Sequence, residues 1–200
     1  MKTCKCICIG RELGSGGREV ARLLSERLGI PCYDRELLSR ASEESGLATE
    51  FFENTDERTF LSTLRGWLQG GMDGREQATV LSEDHLFQLQ SQTIASIAEE
   101  GPAIFLGRCA DYVLRDRSDV ISVFLTAKLE DRVERLVRTL GVNEKEAREL
   151  IEKGDRKRAA YYNFYTFKKW GAASSYDFCF NTSLLGVEKT VELIQSLLHD

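Results

Sequence analysis

The chain has no surplus of positive charge: 27 Lys and Arg stand against 32 Asp and Glu, for a net charge of −5 over 200 residues. Nucleic acid is therefore not expected as a main partner, because a phosphate backbone is bound through a basic footprint. No apolar run approaches the roughly 20 residues that span a bilayer. The charged N-terminus, followed only by a short strand-like stretch, has no signal-peptide pattern. The expectation is a cytoplasmic protein that uses neither membrane nor nucleic acid. Histidine is scarce: His85 and His199, the two present, lie in charged helical surroundings without companion ligands and read as surface residues. The six cysteines lack the C-x-x-C spacing of a metal knuckle, and a chain this rich in aliphatic residues needs no disulfide framework. Cys4, Cys6 and Cys8 alternate and so share one face of a strand, as small buried residues. Internal repeats and low-complexity segments are absent.

What is present is the alternation of a parallel α/β domain. Short apolar runs at 6–9, 30–33, 103–106, 120–125 and 177–181 have strand length, and longer amphipathic patterns separate them. Val20, Leu23, Leu24 and Leu28 form one helical stripe that ends at Gly29. Leu129, Val133, Leu136, Val137 and Leu140 form another that ends at Gly141. Asn143 with Glu146 predicts a capping box opening the next helix, and Val187, Val191, Ile194 and Leu198 mark the last one. The expected fold is a doubly wound five-stranded parallel sheet of the nucleotide-kinase type, forming a single domain over residues 1–200. A helical insertion is expected over 47–100, centred on the glycine-rich GGMDG, and a lid over 141–172.

The first strand runs into RELGSGGRE and then into a helix, the context in which a glycine loop holds phosphate. Gly14, Ser15, Gly16 and Gly17 are expected to turn backbone N–H groups inward at the positive end of the helix dipole. A standard loop reads G-x-x-x-x-G-K-[ST]. Here position 17 is glycine, and Arg18 is the expected source of the missing charge. The loop lacks the usual hydroxyl for Mg²⁺ unless Ser15 serves.

These motifs and others in order resemble the cytidylate kinase-like branch of the nucleoside monophosphate kinases. RELGSGGRE keeps the GSG of that family's G-P-A-G-S-G-K-G-T. YDRELLSR keeps the aspartate and arginine of D-T-G-x-x-Y-R as Asp34 and Arg40. FLGRCADYVLRDRSDVISVFLTA keeps Gly107 and Arg108 of G-R-D together with the whole VFLTA, with Cys109 in place of the aspartate and Asp111 close by. EKGDRKRAAYY resembles the lid, with Asp155, Arg156 and Arg158, and NTSLLGVEKTVELI resembles the segment that leads into the last helix.

The resemblance implies ATP-dependent phosphoryl transfer, with Mg²⁺, to a nucleoside monophosphate such as CMP or dCMP. It places Arg18, Asp34, Arg156 and Arg158 at the transfer, and Gly14 to Arg18 around the donor phosphates. Asp34, Arg40, Arg108, Asp111 and Asp155 are expected around the acceptor, with Asp34 first and Asp111 second to orient a metal or substrate. Arg40 is equally readable as a helix-surface residue paired with Glu36 or Glu44. Arg132, Arg135 and Arg138 recur every third residue away from the apolar stripe and are expected to be solvated. Partners are expected to be small nucleotides, with the oligomeric state open. The loop's missing lysine also admits a non-catalytic nucleotide-binding sensor.

Overall fold

Small and branched apolar residues in CICIGR make a strand that is buried on both faces. It becomes the centre of the sheet because a parallel strand covered on both sides needs apolar residues at every position. In the computed structural model, which describes residues 5–34 and 79–198, this segment is β1, Cys6–Arg11. The remaining strands are β2 Cys32–Tyr33, β3 Ala103–Leu106, β4 Val120–Thr126 and β5 Phe178–Asn181. They form one sheet in the order β2-β3-β1-β4-β5. The pairings of β1 with β3 and β4, and of β4 with β5, are parallel, and Cys6 lies opposite both Ala103 and Val120.

The helices are α1 Gly17–Leu28, α2 Thr79–Glu100, α3 Ala110–Val113, α4 Leu129–Leu140, α5 Glu144–Thr166 and α6 Thr182–Ser196. Gly29 and Gly141 take left-handed conformations as the caps of α1 and α4, and Asn143 and Glu146 form the reciprocal capping box of α5. The apolar stripe that opens at Val187 follows a kink in α6 at Gly186, whose φ of 73° and ψ of 168° are not helical. Packing divides the chain into two units, residues 1–32 with 101–200 and residues 33–100. In the second unit, α2 is helical as expected. GGMDG, Arg40 and the rest of 35–78 lie outside the described residues, as do Cys4 and His199. No helix among the described residues is long and apolar enough to cross a membrane.

One face of the sheet presents Ile7, Ile9, Ile104, Leu106, Val123 and Leu125. Against them pack Val20, Ala21 and Leu24 of α1 and Val191 and Ile194 of α6. This layer ties the start of α1 to the carboxyl ends of β1, β3 and β4, where doubly wound sheets bind ligands. Cys6 and Cys8 are buried on the other side of the pleat, as their alternation requires. Leu24 is fully buried in the layer. Leu24→Ala should cost about 2–5 kcal/mol in urea denaturation, and a loss of under about 1 kcal/mol would mean that α1 is not anchored as described.

Candidate functional site

The turn between β1 and α1 is held almost entirely by its carbonyl groups. Arg158 Nη1 donates to Arg11 O (3.3 Å). Ser15 donates to Glu12 O through both its amide (3.3 Å) and its hydroxyl (2.9 Å). Arg132 Nε donates to Leu13 O (2.8 Å), and Arg135 Nη1 donates to Gly14 O. Thr182 Oγ1, at the start of α6, donates to Ser15 O (2.7 Å). Gly16 O accepts the first bond of α1, from Val20 N (3.0 Å). Each carbonyl from residue 11 to 16 is thus occupied by a donor. The amides of residues 16–19 precede the hydrogen-bond ladder of α1, and its cap Gly16 carries no side-chain cap bond. Carbonyls braced outward and amides ahead of a helix are what an anion cradle consists of.

Two features hold the outer side of the turn tightly against α4 and α5. Gly14 has φ +82°, and a Cβ there would lie 2.8 Å from Arg132 O and from Leu136 Cδ1. Leu13 packs into a small cluster of Val133, Leu136, Ala147 and Ile151 between the two helices. Charge reinforces this packing. Asp155 Oδ1 accepts from Leu13 N (2.8 Å), while its other oxygen accepts from Arg132 Nη2. Glu12 accepts from Thr126 Oγ1 (2.6 Å) and Ala127 N (3.1 Å), and its carboxylate lies 3.3 Å from Arg132 Nη1. Arg132 is 6% exposed and joins the loop, the end of β4 and α5. It and Arg135 were expected in solvent. The structure places them against loop carbonyls, a tertiary role with no sequence signal except that arginines repeat on the face that opposes the loop; Arg138 is exposed.

Positive charge gathers around Arg158. Arg158 is held below its usual pKa chiefly by burial, opposed by Asp155; the nearby charges of Arg18, Arg132 and Arg108 push it the same way as burial. Arg108 follows β3 in a left-handed conformation (φ 61°), flanked by Gly107 (φ 82°) and Cys109 (φ 56°). Non-glycine residues rarely adopt such backbone, and it concentrates where a side chain must be aimed. The Arg108 guanidinium lies 5.2 Å from the Tyr161 ring centroid. Arg18 is exposed on the first turn of α1. Arg156 pairs with Glu152 on an open face of α5, where both are 73% exposed.

The acidic candidates lie in different surroundings. Asp155 is bonded to the loop as above. Asp111 accepts from Tyr162 Oη (2.7 Å); burial raises its pKa, against the lowering effects of Tyr162 and Lys168. Burial, with the Asp111 charge, pushes the Cys109 thiol up to about 12. A neutral thiol therefore stands where the kinase pattern has an aspartate. Asp34 follows β2 directly.

The sequence profile of the cytidylate kinase-like family matches residues 6–184. The chain belongs to that family. Within reach of it is a cytidylate kinase of Methanopyrus kandleri, 25% identical over 96% of this chain and 92% of that protein. An uncharacterized protein from Eubacterium ventriosum has a similar crystal structure, with a TM-score of 0.74 and 28% identity over 96% of this chain and 97% of the other. The shikimate kinase of Bacteroides thetaiotaomicron shares the fold at a TM-score of 0.54 and 20% identity, covering 98% of each chain. The fold is therefore that of the small P-loop kinases, as the strand order and loop position require.

The braced turn fits the phosphates of a nucleotide, since it offers backbone donors and a cationic rim. A metal cage is a different matter. Among the described residues, no three His, Cys, Asp or Glu side chains are grouped to hold an ion, and the Ser15 hydroxyl donates to Glu12 O. Magnesium commonly keeps most of its shell as water and phosphate oxygen, so such an ion would be carried chiefly by the nucleotide.

Because Arg132 is buried between two carboxylates, replacing it leaves both without their shared cation. Arg132→Met should lower stability by about 3 kcal/mol in urea denaturation. Arg132→Lys should recover little of this, since a point charge cannot reach a carbonyl and two carboxylates at once. Full recovery with lysine would show that charge alone, and not the planar fork, holds the loop.

Proposed function

We propose that this chain transfers the γ-phosphoryl group of ATP to a nucleoside monophosphate, with CMP and dCMP the first acceptors to test. The observations that support the reading are the carbonyl-braced turn at 11–16 and, at Arg158, which bonds Arg11 O, the added charges of Arg18, Arg108 and Arg132. Binding one nucleotide needs the turn alone. Aligning two phosphate groups for transfer needs positive charge from several segments as well.

In this reading the amides of residues 16–19 hold the donor's outer phosphates. Arg108 holds the acceptor phosphate through its fork of donors. Arg158 and Arg18 stabilise the charge that spreads over the transferred group. An acceptor phosphate oxygen forms the new bond to the γ-phosphorus as the bond to the bridging oxygen of ADP breaks, and no protein nucleophile takes part. Mg²⁺, when bound, neutralises charge on the phosphates it arrives with. Asp34, which follows β2, is the proposed carboxylate for orienting metal or acceptor. No disulfide joins the described cysteines, and the cytoplasm is the proposed compartment.

A second reading is a nucleotide-binding sensor without transfer activity. Its support is the loop itself, which has glycine at position 17 and a Ser15 hydroxyl bonded within the turn. ADP release from ATP and Mg²⁺ across a panel of nucleoside monophosphates separates the two. We expect turnover with one acceptor, and we expect Arg108→Ala to reduce kcat/KM by about 10- to 100-fold, mostly through acceptor KM. Nucleotide binding without turnover across the panel would favour the sensor, and unchanged turnover in Arg108→Ala would remove Arg108 from the acceptor site.

A further inference from the structure

Position 17, where a standard phosphate loop has lysine, is buried glycine, and the space beside it is filled. A Cβ built on Gly17 would lie 2.8 Å from Arg11 Cγ, 2.9 Å from Arg11 Cβ and 3.3 Å from Arg11 Cδ. These are atoms at the base of the Arg11 side chain, so the conflict is not relieved by swinging a flexible tip. The same side chain continues to the next strand. A Cβ on Gly107, the residue directly after β3, would lie 2.5 Å from Arg11 Nη1. The Arg11 stem therefore crosses the first residue of α1, and its guanidinium reaches the carboxyl end of β3. The side chain ends beside Gly107, the neighbour of Arg108, while the Arg11 carbonyl accepts from Arg158.

From this path we infer that Arg11 is the phosphate-binding cation of the loop, entering from the first variable position of the turn to do what lysine does from the helix. The ligand it takes is the terminal part of a nucleoside triphosphate or of another polyphosphate. The glycines at 17 and 107 belong to the same device, because a side chain at either would obstruct the arginine. The exchange has a chemical consequence. Lysine meets phosphate as a mobile point charge, whereas arginine offers a planar fork that can bond two oxygens at once. Arg18, on the exposed face of the same turn, is left for the rim. The inference rests on the loop being a phosphate site and not on turnover.

The arrangement predicts a compensating pair, tested by calorimetric titration with ATP and with inorganic tripolyphosphate. Melting of each free variant serves as a check on folding. Arg11→Ala should weaken both ligands by about tenfold or more, and Arg11→Lys by less. Gly17→Lys alone should also weaken binding, because the new side chain meets the Arg11 stem. Joined to Arg11→Ala, it should restore affinity to within about threefold of the parent. Unchanged binding in folded Arg11→Ala, or a double variant no better than Arg11→Ala, would overturn the inference. If the parent binds ATP but transfers to no acceptor, the kinase reading fails while the Arg11 assignment is still decided by the variants. If the parent binds neither ATP nor tripolyphosphate, both fall.

Discussion

The structure depends on arginines that grip the carbonyls of the turn between β1 and α1. A guanidinium carries five donors and no acceptor, so it can bond a peptide only through the carbonyl. When Arg158, Arg132 and Arg135 take the carbonyls of residues 11, 13 and 14, the course of the turn is fixed. The amides of Glu12, Leu13 and Ser15 are bonded within the protein, which leaves those at the start of α1 for a ligand. Hydroxyl donors from Ser15 and Thr182 complete the series at residues 12 and 15. The cradle is in this way ordered before any ligand arrives, and less of the binding free energy goes into ordering it. Cations behind the loop also raise the local positive potential, so the same groups that fix its shape favour an anion in front of it.

The cost of this arrangement is a partly buried ion cluster, and the protein neutralises it with Glu12 and Asp155. Both acids also bond backbone amides, Glu12 at Ala127 and Asp155 at Leu13. Asp155 therefore links α5, the helix expected to form part of a lid, to the loop as a support. Burying paired charge gains little net stability compared with an apolar core. Its value here is geometrical, because apolar packing has no means of orienting a carbonyl.

Much of the frame was legible in the sequence because it is set locally. The five strands fall within a residue or two of their apolar runs, and Gly29, Gly141 and the Asn143–Glu146 pair end or begin helices where their backbone chemistry requires. The glycine loop was legible from its strand and helix neighbours. The braces were not. Arg132 and Arg135 contact residues about 120 positions earlier in the chain, and nothing in a three-residue repeat distinguishes a solvated arginine from one that holds a distant carbonyl. Arg11 escaped notice for a related reason. In the standard pattern the cation follows the glycine that Gly16 represents. The useful signal was the glycine at position 17, which indicates space claimed by something else.

The most direct test of a prebuilt cradle follows the amides themselves. In ¹⁵N-labelled protein titrated with inorganic tripolyphosphate, the amides of residues 16–19 should shift together and saturably, and their hydrogen exchange should slow. The amides at the start of α4, an ordinary helix N-terminus outside the loop, should stay in place. Shifts spread over surface lysines, or changes at α4 equal to those at α1, would contradict the account.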